Sequence, residues 1–474
     1  MHPVRFAVFA AALALAACAH ARKPDVALPA AYEAPQQGGA SAAVLDRWWT
    51  TFDDPQLTSL VEHSLAANPD ARTASARLRE ARASAAASLT QFLPQGDATA
   101  SARRTHTTQL SGTIVNFPGF STSGTNEQDA ANLNVSWEVD LFGRIFAAGR
   151  AARGDVAAVR FDYEATRASL AAQTADAYFQ ARGFAIQLAD AREEVRIQQE
   201  LYDVAAKRAA VGIGTSADAD RVAGELAQAK SQAETLDGEL RAELRTLLIL
   251  AGRPADSITT VDASPSVGRV PPVPATLPSE LLRRRPDVRE AQARIESAAG
   301  RLRLANLAFF PTLMLTPGVG WSRVVQPGFR STSQSWTIGG SATQPVFSLP
   351  TLLEDLKAQD ARTEEAVIAY EKAVQTAFGE AESALVRLDV DERRVGILTD
   401  GEVRARRAYE ASRKGYQRGL NDLQTVLSAE ESWRSTRIQL TSARVQGLRD
   451  AVAAFKAIGG GWDTATQGMT GAAR

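Results

Sequence analysis

The sequence predicts a mainly α protein with a small β part, built from long coiled-coil helices and a few paired strands in an internal two-fold repeat. Three observations carry this. Proline, which helix interiors exclude, is missing from two long blocks: Pro118 and Pro254 bracket 135 proline-free residues, and no proline follows Pro350. Within the first block, Leu170, Ala177, Phe184, Ala191, Gln198 and Ala205 recur at heptad spacing. Ala181, Leu188, Val195, Tyr202 and Ala209 form the companion row, an alanine-rich seam suited to closely packed helices. Third, the halves repeat. Asn68-Pro69-Asp70-Ala71-Arg72 matches Arg285-Pro286-Asp287-Val288-Arg289 at an offset of 217, and Phe92-Leu93-Pro94 matches Phe309-Phe310-Pro311 at the same offset. Tyr202 and Tyr409, Gly212 and Gly419, and Gly252 and Gly459 follow at 207.

In chain order, Arg5 and the apolar run 6–17 have the length of a signal peptide, too short to span a membrane. The run ends Leu15-Ala16-Ala17-Cys18, which resembles a bacterial lipobox and places the only cysteine where the lipid is attached. By the sorting rules of that class, Ala19 in place of aspartate implies the outer membrane. Residues 18–45, rich in Ala, Pro and Gly, read as an acylated tether. Residues 46–252 form the first repeat: a short helix, a β-hairpin at about 95–141, a long helix at about 144–211 and a helix at about 215–252. Residues 253–278 are a proline-rich linker. The second repeat, 279–458, has a helix at about 279–308, a hairpin at about 312–347, a long helix at about 351–418 and a helix at about 420–458. Residues 459–474 are a C-terminal tail. At about 1.5 Å per residue, each long helix measures roughly 100 Å.

The hairpins have period two. Leu133, Val135, Trp137, Val139 and Leu141 alternate with Asn132, Asn134, Ser136, Glu138 and Asp140. Ala98, Ala100 and Ala102 alternate with Thr99, Ser101 and Arg103. In the second half Leu313, Leu315, Val319 and Trp321 share one parity, and Trp336, Ile338 and Ala342 another. Strands of about ten residues are long enough to cross a membrane at a tilt, with Val135 and Trp137 toward lipid and Asn134, Ser136, Glu138 and Asp140 toward a lumen. Four strands cannot close a barrel, and an open edge in lipid leaves backbone groups unpaired. Copies must therefore assemble, and eight, twelve or sixteen strands are all permitted.

Composition excludes other classes. The 53 basic and 54 acidic residues leave a net charge of −1, without the basic surplus of a nucleic-acid binder. A charged content of 23% with no apolar run of about 18 residues excludes a polytopic helical membrane protein. One cysteine and four scattered histidines offer no metal site, and no nucleophile–base grouping or phosphate loop appears. This predicts no enzyme activity and no cofactor beyond the lipid on Cys18. The period-two strands weigh against a lipid-anchored periplasmic coiled-coil scaffold without a pore. The run Arg283-Arg284-Arg285 reads as a solvated charge cluster ahead of a helix.

Three motifs carry a resemblance. Trp137-Glu138-Val139-Asp140-Leu141-Phe142-Gly143-Arg144 resembles the strand-to-helix signature of TolC-type outer-membrane efflux channels, in the OprM/NodT-like lipoprotein branch. Leu281-Leu282-Arg283-Arg284-Arg285-Pro286-Asp287-Val288 resembles the opening of that family's second repeat, and Gly459-Gly460-Gly461-Trp462 its C-terminal signature. The resemblance implies a homotrimer whose twelve-stranded outer-membrane β-barrel, four strands per chain, continues into a periplasmic α-barrel. It implies a passive gated duct for drugs and toxic compounds, served by a periplasmic adaptor and an inner-membrane pump of the resistance-nodulation-division type. Ducts of type I protein secretion and of metal efflux are its alternatives. By the same resemblance, the tips Val211, Gly212, Ile213, Gly419, Leu420 and Asn421 dock the adaptor. Asp218, Asp220, Arg413, Tyr416, Arg418, Asp422 and Glu430 are candidates for the periplasmic entrance and its gate. Ser428 departs from the aspartate that many relatives carry, and Gln344-Pro345-Val346-Phe347-Ser348 lacks the usual Asp-Gly-Gly ending. Which residue closes the entrance therefore stays open.

Overall fold

A computed structural model of the chain describes residues 24–35, 42–108, 110 and 124–462. The signal run, Cys18 and residues 463–474 lie outside the described residues. A 3-10 stretch (Ala42–Phe52) leads into α1 (Pro55–Ala67) and α2 (Pro69–Thr90). Strands β1 (Gln95–Thr107) and β2 (Gly124–Glu138) precede α3 (Arg144–Ala210) and α4 (Ser216–Leu250). The second half holds α5 (Leu281–Arg284), α6 (Pro286–Leu307), β3 (Thr312–Gln326), β4 (Phe329–Thr343), α7 (Leu349–Gln417) and α8 (Leu423–Ala457). The long helices α3 and α7 run 67 and 69 residues. Each starts within one of two compact units and ends within the other.

The first unit takes in Arg79–Ala158 and Gln292–Ala369. Its sheet is antiparallel in the order β1-β2-β3-β4. The strands have 13 to 15 residues, longer than the ten expected from alternation. Glycine and polar residues at the strand ends hide the period there, while backbone pairing continues through them. In the same unit, helices α3 and α6 approach closely at two glycines. A Cβ on Gly154 would sit 2.5 Å from the Ser297 nitrogen, and one on Gly300 would sit 2.5 Å from the Ala151 nitrogen.

The second unit takes in Asp25–Leu78, Val159–Ala291 and Tyr370–Arg474. Its core gathers Trp48, stacked on Phe455 at 5.6 Å, with Tyr178, Leu247, Leu248 and Leu281. Asp54 caps α1, accepting from the Gln56 and Leu57 amides, and binds Tyr178 Oη and Arg182 at 2.7 Å each.

Several sequence expectations need correction here. Along its described part the tether is held against α7. The Asp25 amide donates to Glu371, Tyr32 stacks on Phe378 at 5.8 Å, and the Ala34 amide donates to Glu382. These α7 partners lie on one helical face, so the apolar residues Tyr32 and Ala34 gain burial there. The helix expected at 279–308 is two pieces, because the residue before proline avoids the α region and Arg285 is extended (ψ 120°) ahead of Pro286. Arg285 is not solvated: it is buried, pairs with Asp287 and Glu380, and donates to the Ala457 carbonyl at 3.2 Å. The tail expected from residue 459 begins inside the core. Trp462 Nε1 donates to the Arg284 carbonyl at 2.7 Å, and the Gly461 amide to the Leu45 carbonyl at 2.8 Å. The first repeat opens with two helices and a 3-10 stretch, not one short helix.

Candidate functional site

The register sorts the sheet into two faces. One carries Leu133, Val135 and Trp137 of β2, with Val319 and Leu315 directly across on β3 and Trp336 and Ile338 beyond on β4. On β1 the same face shows Gly96, Ala98 and Ala100. The opposite face carries Asn132 and Asn134 against Gly320 and Gly318, then Ser335 and Thr337. Ser322 and Ser333 share a hydrogen bond at 2.8 Å on that face. Its charges are Asp97, Arg103 and Glu138 alone, the rest being mostly Ser, Thr, Asn, Gln and Gly. The β2–β3 pairing is interrupted between Asn134 and Trp137, beside Pro317, which has no N–H to donate.

Asp140 differs from its expected place, whereas Glu138 keeps the polar face. Glu138 ends β2 and pairs with Arg144 at 3.2 Å. Arg144 in turn donates to the Leu307 and Phe310 carbonyls at 3.0 and 2.9 Å. Asp140 lies beyond the strand and caps α3: its carboxylate accepts from the amides of Phe142, Gly143, Arg144 and Ile145. Burial pushes this carboxyl up, but the four amide donors outweigh it and hold it below the usual carboxylate range. A helix N-terminus attracts an anion, so this is a fastening of strand to helix.

The second region is the pair of helix–helix turns, α3–α4 and α7–α8. They close by the same Schellman geometry. The Gly212 amide donates to the Ala209 carbonyl and the Ile213 amide to that of Arg208; Gly419 and Leu420 repeat this with Tyr416 and Gly415. Gly212 and Gly419 adopt φ of 76° and 75°, with open space where a Cβ would stand. The caps of the following helices swap residues across the repeat. Thr215 caps α4 and Asp218 completes its capping box; Asp422 caps α8 and accepts from the Thr425 amide at 2.8 Å. The Thr425 hydroxyl and amide hold the Asp422 carboxyl low. Asp218 and Asp422 are thus engaged as caps, which their offset of three from a threonine announces. Thr215→Ala should cost about 1 kcal/mol and speed amide exchange over residues 216–218, with unchanged exchange excluding the cap. Asp422→Ala should act in the same direction on 423–425.

Val211, Ile213 and Leu420 stand out at these turns, 69%, 68% and 76% exposed. Asn421 folds back to donate to the Ser412 carbonyl at 3.3 Å, over Gly415, where no side chain blocks it. Asp220 and Arg418 are exposed. Tyr416 is buried in a small core with Leu201, Val222, Val426 and Leu427, and Arg208 lies over its ring at 5.0 Å. Arg413 lies over Tyr409 at 5.9 Å. Arg208 was absent from the sequence expectations, since a cation over a ring on another helix leaves no local pattern.

Glu430 is likewise not at the surface. It faces a cavity of about 320 Å³ between α3, α4 and α8, with Glu194, Asp190, Trp433, Arg434 and Arg437. Arg434 binds Glu194, and Arg437 lies 2.5 Å from Asp190. Burial pushes Asp190 and Glu194 up, each against its arginine. Burial raises the Glu430 carboxyl to about 7, aided by Glu194 and Glu225 and opposed by Arg434. The charge ladder was legible in principle, as acids at i,i+4 on α3 and arginines at i,i+3 on α8. Among the described residues no helix is long and apolar enough to cross a membrane, and no group of three metal-ligating side chains occurs.

The outer membrane efflux protein family model matches residues 60–253 and 277–460, one stretch per repeat. The chain belongs to the outer membrane efflux protein family. It is 29% identical over 472 residues to the pyoverdine export outer membrane protein OpmQ of Pseudomonas aeruginosa, covering 98% of each. It is 28% identical over 481 residues to the cation efflux system protein CusC of Escherichia coli, covering 98% of this chain and all of CusC. Among solved structures, the outer-membrane channel OprN matches with a TM-score of 0.81 at 28% identity, over 94% of this chain and all of OprN. As an outer membrane efflux protein, the chain is a passive outer-membrane channel component of tripartite pumps, not an enzyme. Family channels are trimers that join a β-barrel, four strands from each chain, to an α-barrel and work with an adaptor and an inner-membrane pump.

Proposed function

We propose that this channel exports small organic molecules and serves a pump of the resistance-nodulation-division type. The polar sheet face carries the reading: closed into a barrel, it lines the lumen with hydroxyls, amides and backbone, and Asp97, Arg103 and Glu138 are its only charges. Such a lining selects by size and admits cargo of either charge, leaving choice to the pump. Pyoverdine export by OpmQ supports this; CusC, named for cation efflux, supports metal export as the second reading.

In this reading Val211, Gly212, Ile213, Gly419, Leu420 and Asn421 meet the adaptor, since three exposed aliphatic side chains at polar turns favour an apolar partner. Asp218, Asp220 and Asp422, with Arg413, Arg418 and, behind them, Tyr416 and Glu430, surround the entrance. Cys18 carries the lipid, a second anchor beside the barrel. Ile213→Asp combined with Leu420→Asp should abolish resistance to exported dyes in cells while leaving the trimer on gels. Normal efflux in that double variant would remove the docking role, and loss of the trimer would reassign these residues to assembly.

A further inference from the structure

The apolar sheet face ends in charge. On β3 its residues run Leu313, Leu315, Pro317, Val319 and Trp321. The eight steps from Leu313 to Trp321, at about 3.4 Å each, make roughly 27 Å of strand, comparable, after tilt, to the apolar band of about 25 Å of an outer-membrane barrel. The next residue on this face is Arg323, opposite Asp129, followed by Val325 opposite Glu127 and Arg330. Arg104 of β1 lies opposite Glu127. Three arginines therefore stand on the outward face at the strand ends remote in sequence from the helices, beyond Trp321.

Neither neighbouring carboxylate neutralises them firmly. Arg104 lies 3.4 Å from Glu127 and Arg323 3.8 Å from Asp129, both as solvent-open pairs, of the kind worth little. Arg330 is exposed. Charge is otherwise scarce at this end. Among the described residues, 105–108, 110 and 124–126 hold no acidic or basic residue except His106, and 324–329 hold none. All four cations of the strands are arginine, whose fork matches phosphate oxygens in pairs where lysine offers a point charge. The topology adds a further point. Arg104 and Arg330 lie on the two edge strands, and both acids lie on the inner strand β2. Closing the trimer joins β4 of one copy to β1 of the next, so the two arginines reach the same rim at each seam with no carboxylate on either edge strand's outward positions there.

We propose that this rim binds the phosphate groups of an anionic glycolipid in the outer leaflet, through Arg104 and Arg330 of adjacent copies with Arg323 flanking. The inference rests on the reading that the apolar face meets lipid. That reading fails separately, if Val135→Arg assembles normally.

Purified trimer in detergent, titrated with bis-phosphorylated lipid A and followed by native mass spectrometry, should take up to three lipids, one per seam. The dephosphorylated lipid should bind at least about ten-fold more weakly, as should the lipid with the Arg104→Gln/Arg330→Gln trimer. Arg103→Gln, on the opposite face, should bind as the unaltered chain does. Equal binding of the dephosphorylated lipid to unaltered protein would overturn the proposal whether or not the double variant assembles. So would undiminished binding by the double variant, or complete displacement by millimolar inorganic phosphate, which would mark a bare anion site.

Discussion

Val135→Arg is expected to abolish or strongly reduce assembly of trimer in lipid, whereas Ser136→Arg, one residue along, should assemble. Val135 lies on the face shared by Leu133, Trp137 and Val319, in the middle of the apolar stretch of β2, directly across from Gly96 of β1. A guanidinium near the bilayer midplane costs about 2–4 kcal/mol in a membrane strand. Ser136 lies on the polar face, directly across from Gln95, where a charge stays hydrated. The comparison is made by refolding both variants into vesicles across a urea series and scoring heat-resistant trimer. Equal tolerance at the two positions would reverse or remove the assignment of faces, and with it the lumen read into Asn134 and Ser136.

The second large effect is pH-dependent. With the Glu430 carboxyl raised to about 7 by burial, the folded chain holds a proton that the unfolded chain has lost. Between the ordinary glutamate range and about pH 7 the folded state thus binds more protons, and stability falls as pH rises. The contribution is fully present below the unfolded value and gone above about pH 7, an amount of about 3 kcal/mol. Glu430→Gln keeps the shape without the charge, so it should raise the melting temperature near pH 8 and flatten the profile. A residual slope in the same direction is expected from Asp391, whose carboxyl burial and the adjacent Asp450 push up. The groups facing Glu430 are Glu194 on α3, Glu225 on α4, Arg434 and Glu431 on α8, and Tyr409 on α7. A variant that keeps the full slope would remove Glu430 as its source. Because the site lies in the helices just before and after the turns, the same substitution tests whether proton uptake alters the conductance of the channel in planar bilayers.

Much of the candidate site was legible because it is local. Gly212 and Gly419 end helices by a geometry written within six residues, and Thr215 with Asp218 and Asp422 with Thr425 are caps three residues apart. What those residues do in the fold was less legible. Asp140 alternates with the strand residues and so resembles one, yet the helix start two residues after Phe142 claims its carboxylate. Tyr416 and Glu430 look like surface groups beside a turn, but their burial depends on helices about two hundred positions away in the chain.

The amino-acid sequence sufficed for the helices, the alternating strands, the turns and the two-fold repeat. Each of these depends on hydrogen bonds and side-chain directions within one or two turns of the chain, or on comparing the chain with itself. It left Leu133 and Trp336 with opposite parities and no common face. That they line one side of the sheet follows only from the folded chain, because strand order and register are pairings between distant segments, set by which ladders close together. The same holds for Arg285, Glu430 and Trp462. A charge or a ring beside a turn is solvated or buried according to what packs over it, and those partners are distant in the chain: Glu380 for Arg285, Glu194 for Glu430 and Arg284 for Trp462.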